Sequence, residues 1–211
     1  MPSSSLLMPL PLTDFFIDKP KAAKARLLLA HGAGAGADSD FMQQLSALLV
    51  SHNIEVWRFN FAYMQRFITT GKRSLPDKMP ALQQQFVHAI NTCPDDLPLF
   101  IAGKSMGGRV ASMLSQHNRV KAVFAFGYPF HAPKKLSWRT EHFSDLACPL
   151  FIAQGERDNR PSECTQLQAT EYGRGALQHR RRNRQGRIRR CNRPDAPRGR
   201  RHSLRRRGHR R

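Results

Sequence analysis

Residues 99–109 read LFIAGKSMGGR, and this stretch decides the fold. Its apolar start, 99–102, predicts a buried strand that ends at Gly103, and residues 109–116 have the pattern of a helix. Ser105 lies in the sharp turn between them, within the motif Gly-x-Ser-x-Gly. A serine in this motif between a strand and a helix is typical of a nucleophile elbow, in which a strained turn exposes the hydroxyl group.

The residues around Ser105 fit the requirements of such an elbow. Gly103 and Gly107 lie two residues before and after the serine, where strand and helix pass too close to each other for side chains. The N–H group of Met106 would lie at the helix N-terminus, where it can stabilise an oxyanion. The sequence Gly-Lys-Ser also ends a phosphate-binding P-loop, but that loop requires a glycine at position 98, which is Pro98.

The rest of the chain predicts a parallel sheet covered by helices. Further apolar runs predict strands over 25–30, 54–61, 120–126 and 149–153. Helices are predicted over 41–52 and 80–91, whereas the polar stretch 62–79 is interpreted as a loop. Continuously apolar strands that alternate with helices are typical of a doubly wound α/β fold. The fold class is therefore α/β, with a parallel sheet that stops after the strand before Asp158.

Polar clusters follow three of the predicted strands directly, at residues 31–36, 104–108 and 156–158. The carboxyl ends of parallel strands meet at one edge of the sheet, and ligands bind there in open α/β folds. We therefore expect these three clusters to form one site.

These stretches resemble the α/β-hydrolase superfamily. The resemblance lies in LLAHGAGAG at 28–36, AGKSMGGR at 102–109, GYPFH at 127–131 and GERD at 155–158, and it spans residues 25–158. Within the superfamily, the chain is similar to the small, lidless, dienelactone-hydrolase-like bacterial hydrolases. A related domain occurs in a testis-expressed protein and in a subunit of the NSL chromatin complex.

The resemblance implies a role for each matching residue. Ser105 would be the nucleophile, the N–H groups of Ala33 and Met106 would form the oxyanion hole, and Asp158 would be the acid of the triad. The family places its catalytic histidine in a Gly-Asp-His-like loop after a further strand, and this sequence departs from that pattern. The catalytic histidine stays unassigned, because the only histidines after Asp158 lie among arginines, at His179, His202 and His209.

The implied function is hydrolysis of an ester, thioester or amide bond in a small acyl substrate, without a metal or an organic cofactor. Because the catalytic histidine of the family pattern is lost from this sequence, the activity is expected to be impaired. The alternative is a truncated, non-catalytic domain of the same fold whose basic tail binds nucleic acid or another polyanion.

Several residues beside the predicted site have more than one interpretation. His31 could act as a base, but a role in shaping the oxyanion loop is favoured. Residues 32–37 fit a dinucleotide-binding fingerprint with Glu55 as the ribose acid, although Glu55 begins a strand instead of ending one. Lys104 could form a Ser–Lys dyad, but neighbours at an elbow point apart, so it is expected at the rim or surface. The remaining candidates are Tyr128, Phe130 and His131, which line a pocket or pack a loop, and Arg109, expected on the helix face.

The charge of the chain lies mostly in its last quarter. The formal net charge is +20, and residues 159–211 contain 18 arginines, 3 acidic residues and no lysine. The chain therefore divides into a leader at 1–24, an incomplete hydrolase core at 25–158 and an arginine-rich tail at 159–211. The tail is interpreted either as a basic arm whose charge would neutralise phosphates, or as the product of a shifted reading frame, which is favoured.

The other features of the sequence indicate a cytoplasmic protein. Its start lacks the basic region of a signal peptide, and no apolar run reaches the roughly 18 residues that a membrane-spanning helix needs. The four cysteines show no Cys-x-x-Cys spacing, so they predict neither a zinc site nor a disulfide framework. No membrane partner is expected.

The shifted-frame interpretation makes a direct prediction about the coding DNA. Translating all three frames from codon 150 onward should reveal a frame that continues near Asp158 with apolar strand and helix runs and a Gly-Asp-His-like loop. A resequenced gene with no such continuation in any frame would contradict the shift and leave the basic arm to be explained.

Overall fold

The computed structural model describes residues 15–132 and 137–155, together with the backbone of 180–182 and 188–190. The chain divides into two compact units, Met1–His179 and Arg180–Arg211. The strands of the first unit are β1 (Phe15–Asp18), β2 (Ala25–Ala30), β3 (Ile54–Phe59), β4 (Leu99–Lys104), β5 (Val120–Phe126) and β6 (Leu150–Ala153). Its helices are α1 (Asp40–Ser51), α2 (Ala62–Thr70), α3 (Met79–Thr92), α4 (Met106–Ser112) and a 3-10 helix, Glu141–Asp145.

The strands form one six-stranded sheet in the order β1-β3-β2-β4-β5-β6. All neighbouring strands are parallel except β1 and β3, which are antiparallel. The predicted α/β class with a parallel sheet is confirmed. The register pairs Ala30 with Gly103 and Lys104 with Phe126, so β2, β4 and β5 end side by side.

Apolar side chains cover both faces of the sheet. Along β2, Leu28 belongs to the larger core, whereas Leu27 and Leu29 belong to a second cluster with Met42 of α1. Successive residues of a strand point to opposite faces, and both faces need cover when helices pack on each. None of the described helices combines the length and the apolarity that a membrane crossing requires.

The interpretation of residues 62–79 as a loop is wrong, because α2 occupies 62–70. Only a narrow side of this short helix is apolar, with Tyr63 and Met64 buried, and its other residues are mostly polar. Gly71 ends the helix with φ 69°, and its N–H donates to the carbonyl oxygen of Phe67. A glycine that closes a helix in this way was the available sequence signal.

The leader contains a strand that the sequence analysis did not predict. β1 pairs with β3, and Asp18 at its end accepts hydrogen bonds from Arg58 at 2.9 Å and from Ser46 of α1 at 2.6 Å. The ring of Phe15 packs against Trp57, with centroids 5.1 Å apart. The strand was missed because its four residues are too few to show a clear alternation.

Helix α4 begins earlier than the predicted 109–116, directly after Ser105, and ends at Ser112. Its first turn contains two glycines, which have poor helix propensity, so the sequence pattern placed the start too late.

A buried ionic network closes the amino-terminal end of the sheet. The guanidinium of Arg26, on a side chain only 2% exposed, donates to Glu55 at 2.8 Å, to Asp96 at 2.8 Å and to the carbonyl oxygen of Pro94 at 2.7 Å. Burial alone would raise the pKa of Glu55, but the hydrogen bonds from Arg26 and Trp57 lower it. The network therefore ties β2 and β3 to the turn before β4.

The second unit contains a short antiparallel pair, β7 (Arg180–Arg182) and β8 (Ile188–Arg190). Its register places Arg180 opposite Arg190 and Arg181 opposite Arg189.

The Arg26 network predicts a large stability difference between two arginine variants. Arg26→Met should lower the free energy of unfolding by about 3–5 kcal/mol, because it leaves the buried Glu55 carboxylate without its main partner. Arg66→Met removes the exposed pair with Asp77 and should cost about 1 kcal/mol or less. Urea denaturation of both variants measures the difference, and equal losses would contradict a special role for Arg26.

Candidate active site

Ser105 has a strained backbone at the turn between β4 and α4. Its φ is 48° and its ψ is −112°, a conformation that costs a non-glycine residue about 1–3 kcal/mol. Its N–H donates to the carbonyl oxygen of Phe126 at 2.8 Å, and its carbonyl oxygen accepts the N–H of Arg109 at 3.1 Å. The turn therefore holds Ser105 between the ends of β4 and β5.

The glycines around Ser105 allow backbones to touch. A Cβ atom at Gly103 would lie 2.2 Å from the carbonyl carbon of Gly107, and one at Gly107 would lie 2.5 Å from the carbonyl oxygen of His31. Both distances are far below van der Waals contact. Helix α4 thus starts directly against the ends of β4 and β2, and this contact fixes where Ser105 points.

The loop after β2 runs beside the serine. A Cβ atom at Gly32 would lie 3.8 Å from the Cβ atom of Ser105, and the next residue, Ala33, is exposed. Met106 begins α4 on the other side. Within the described residues, neither the Ala33 N–H nor the Met106 N–H donates to any acceptor.

His31 has no nitrogen available for Ser105. Its Nε2 accepts the N–H of Phe61 at 3.0 Å, so Nδ1 carries the proton and donates to the carbonyl oxygen of Gly32 at 2.6 Å. Burial lowers the pKa of His31 despite the bond to Gly32, which favours the charged form. Through these two hydrogen bonds the neutral ring links the loop after β2 to the start of α2.

Two further side chains, one directly after β3 and one from α2, hold the same loop. The Tyr63 hydroxyl donates to the carbonyl oxygens of Gly32 at 3.2 Å and Ala33 at 3.3 Å, and burial raises its pKa. The side chain of Asn60 accepts the N–H of Ala37 at 2.8 Å. These contacts of Tyr63 and Asn60 were not predicted from the sequence, because residues 62–79 were interpreted as a loop.

Glu55 is in the wrong place for the dinucleotide interpretation. It pairs with Arg26 at the beginning of β2 and β3, whereas the glycine-rich loop follows the end of β2. Its carboxylate therefore lies at the opposite edge of the sheet from residues 32–37.

Lys104 packs away from the serine. Its ammonium lies 4.3 Å from the ring centroid of Phe41, in a cation–π contact with the start of α1. Phe41 in turn contacts Phe126 with centroids 6.4 Å apart. Lys104 is thus partly exposed beside the site and does not form a dyad with Ser105.

The residues after β5 pack a loop. Tyr128 is buried between the rings of Phe130 and Phe143, at centroid distances of 5.0 and 5.4 Å. The ring of His131 packs at a tilt of 50° against that of Trp138, with centroids 4.4 Å apart. Of the two interpretations for this segment, the geometry of Tyr128 favours packing.

Asp158 lies outside the described residues, as do His179, His202 and His209. Strand β6 ends at Ala153, shortly before Asp158. In the described part of the chain, no three His, Cys, Asp or Glu side chains are grouped to hold a metal ion.

A family model described as an alpha/beta hydrolase domain matches residues 23–177. The match begins just before β2 and continues past Asp158, beyond the boundary placed on the hydrolase core from sequence. No curated protein sequence matches the chain.

Three of the solved structures with a similar fold are as follows. A dienelactone hydrolase from Anabaena variabilis is 22% identical, with a TM-score of 0.53 over 65% of each chain, so less than two thirds of that enzyme is matched. A serine hydrolase without a lid from Xanthomonas campestris is 17% identical, with a TM-score of 0.60 over 78% of this chain and 76% of that one. Est1E from Butyrivibrio proteoclasticus is 12% identical, with a TM-score of 0.58 over 77% of this chain and 82% of that one. At such identities the likeness concerns the fold.

The contact at Gly103 predicts that even one methyl group there disrupts the turn. Gly103→Ala should lower the free energy of unfolding by about 3 kcal/mol, because only a backbone shift can relieve the clash with Gly107. Gly34→Ala is the matched control, since nothing lies within 4 Å of a Cβ at Gly34. Thermal or urea denaturation compares the two, and equal stability would show that α4 does not need the close approach.

The neutral state of His31 predicts a pH-dependent stability. Because its pKa is lowered in the folded state, its contribution is complete above about pH 6.5, the unfolded value, and is lost as the pH falls through the folded pKa. His31→Gln should therefore reduce the slope of unfolding free energy against pH between about pH 7.5 and 5.

The exposed His52 provides the control for this measurement. Urea denaturation at each pH should give His52→Gln the same slope of unfolding free energy against pH as the parent chain. An unchanged slope in His31→Gln would contradict the buried neutral ring.

Proposed function

We propose that this chain, which belongs to the alpha/beta hydrolase family, is a serine hydrolase of acyl bonds. Membership of that family supports a hydrolase function in general. Ser105 is its nucleophile. The observation that carries the proposal is the strained backbone of Ser105, with φ 48°, at a turn where α4 meets β4 and β2. Strain of this kind persists only where the surrounding structure imposes it, and it concentrates at functional sites.

In the proposed reaction, Oγ of Ser105 bonds to the substrate carbonyl carbon while its proton passes to a general base. The carbonyl π electrons move to the oxygen, which becomes an oxyanion. When the carbonyl re-forms, the bond to the alcohol, thiol or amine breaks, and the leaving group takes the proton. Water then repeats the sequence on the acyl-enzyme and releases the acid. Asp158 would orient the base, a histidine that stays unassigned.

The oxyanion is bound in this proposal by the N–H groups of Ala33 and Met106. Both groups lack an acceptor among the described residues, and both belong to segments that contact the serine turn. Donors aimed at the developing charge contribute about 10²–10³-fold each to the rate. The bonds from His31 and Tyr63 fix the carbonyl groups of the loop that carries the Ala33 N–H.

Labelling by a fluorophosphonate probe tests the nucleophile. The full chain should form a covalent adduct, and Ser105→Ala should abolish it, because the phosphorus atom is captured only by an activated hydroxyl group. Ser51→Ala, which removes an exposed hydroxyl at the end of α1, should label like the parent. An adduct that survives in Ser105→Ala, or no adduct in the folded parent, counts against the proposal.

Polyanion binding by the tail is a second candidate function, favoured by one observation in the second unit. Its strands place Arg180 opposite Arg190 and Arg181 opposite Arg189. The pairing gathers five arginines on two neighbouring strands, and that density of positive charge suits the phosphates of a polyanion.

Retention of the full chain on DNA at increasing salt tests this second function. Replacing the arginines at 180–182, 189 and 190 by glutamine should weaken retention, and the slope of log affinity against log salt should fall by about 0.9 for each lost phosphate contact. Salt-insensitive retention, or none, would rule out a polyanion partner for these residues.

A further inference from the structure

Tyr63 is a buried tyrosine whose hydroxyl group faces the backbone of the loop beside Ser105. The residue is 2% exposed, and its hydroxyl group lies 3.2 Å from the carbonyl oxygen of Gly32 and 3.3 Å from that of Ala33. A phenol has a single proton, so the two carbonyl oxygens share one donor. This one side chain therefore holds both peptide groups that flank Ala33.

The surroundings of Tyr63 fix both the protonation and the position of its hydroxyl group. Burial, and after it the negative charge of Asp77, raise the pKa of Tyr63, so the hydroxyl group keeps its proton at neutral pH and remains a donor. Tyr63 lies in the first turn of α2, where the N–H of Ala62 donates to Oε1 of Gln85 at 2.8 Å. Further along the helix, Arg66 donates to Asp77 at 2.6 Å. The donor is thus held from the side of α2.

The direction of the Gly32 carbonyl group decides the direction of the Ala33 N–H group. Both belong to one planar peptide group, and the described residues contain no cis peptide bond, so the two groups point in opposite directions. The carbonyl oxygen faces Tyr63 and also His31, whose Nδ1 donates to it at 2.6 Å. The Ala33 N–H group therefore points away from the start of α2.

The serine turn lies on the side to which this N–H group points. In the sheet, β2 lies between β3 and β4, so the loop after β2 has the start of α2 on one side and Ser105 on the other. A Cβ atom at Gly32 would lie 3.4 Å from the carbonyl oxygen of Lys104 and 3.8 Å from Cβ of Ser105. If the peptide group rotated by half a turn, the Gly32 carbonyl oxygen would face the serine instead and would repel an oxyanion.

We propose that Tyr63 is a positioning residue for the reaction: by holding the carbonyl oxygens of Gly32 and Ala33, it keeps the Ala33 N–H group directed at the oxyanion. Tyr63 does not touch the substrate in this arrangement and acts through the two peptide groups. His31 also holds the Gly32 oxygen, whereas Tyr63 is the one donor to the Ala33 oxygen among the described residues. This role rests on the proposed hydrolase function, but the orientation of the peptide group does not.

The orientation is measured first, without substrate. In the isotopically labelled full chain, the assigned amide signal of Ala33 should show no exchange in NMR relaxation dispersion, because the peptide group keeps one orientation. Tyr63→Phe keeps the buried ring and removes the hydroxyl group, so the Ala33 signal should broaden by exchange between two orientations. Tyr128→Phe is the matched control and should leave the Ala33 signal unchanged. Tyr128 is 1% exposed and likewise donates to a backbone carbonyl oxygen, that of Arg139 at 2.8 Å.

Kinetics then connects the orientation to the reaction. With p-nitrophenyl acetate, kcat should fall about fivefold or more in Tyr63→Phe while KM stays within about twofold, because the oxyanion forms only after the substrate has bound. A fivefold loss corresponds to the productive orientation in about one fifth of the molecules. The rate of fluorophosphonate labelling should fall by a similar factor, since the phosphoryl oxygen occupies the place of the oxyanion. Tyr128→Phe should equal the parent in kcat, KM and labelling rate.

The outcomes separate the role of Tyr63 from the proposed function. A folded Tyr63→Phe with an unchanged Ala33 signal, an unchanged kcat or a loss confined to KM would overturn the proposal, as would an equal loss of kcat in Tyr128→Phe. Exchange at Ala33 in the parent chain would overturn it whether or not the variant folds. Exchange that appears at Ala33 in Tyr63→Phe, in a chain whose parent neither labels nor hydrolyses the ester, would support orientation of the peptide by Tyr63 and reject the hydrolase.

Discussion

The site depends on the absence of side chains at Gly103 and Gly107. These residues let α4 begin in direct contact with β4 and β2, and that contact forces Ser105 into its positive φ. The order of the strands contributes to the same arrangement. Because β4 lies between β2 and β5, the loops after both neighbouring strands lie beside the serine. One close backbone approach thus determines where the hydroxyl group, the loop after β2 and the loop after β5 meet.

The loop after β2 is held in place by residues where β3 ends and α2 begins, which follow it in the chain. His31 reaches the N–H of Phe61, and the Tyr63 hydroxyl reaches back to Gly32 and Ala33. Buried groups of this kind form a satisfied network that rigidifies its surroundings. The amino-terminal edge of the sheet is closed by the Arg26 network instead, so the two edges are stabilised by different chemistry: neutral hydrogen bonds at the site and ion pairs away from it.

Local patterns in the sequence were sufficient for the parallel sheet and for the serine turn, because a continuous apolar run followed by glycines specifies both within a few residues. They were not sufficient for α2 or β1. Tyr63 and Met64 give only two buried positions, and β1 is recognisable only from its pairing with β3. Arg109 was expected on a helix face. Its Nε is buried and has no hydrogen-bond partner among the described residues, and this could not be foreseen because it depends on which groups the loop after β5 brings near. The role of Asp158 and the identity of the catalytic histidine stay predictions, because they depend on residues beyond 155.

The conformation of Ser105 also bears on how this protein can change over generations. Glycine adopts a positive φ without strain, so a serine-to-glycine change at this position would relieve about 1–3 kcal/mol while removing the hydroxyl group. Loss of the hydroxyl group is therefore energetically favourable for the fold. If Ser105 is retained among descendants, the fold cannot be the reason, and only continued selection for its chemistry can be.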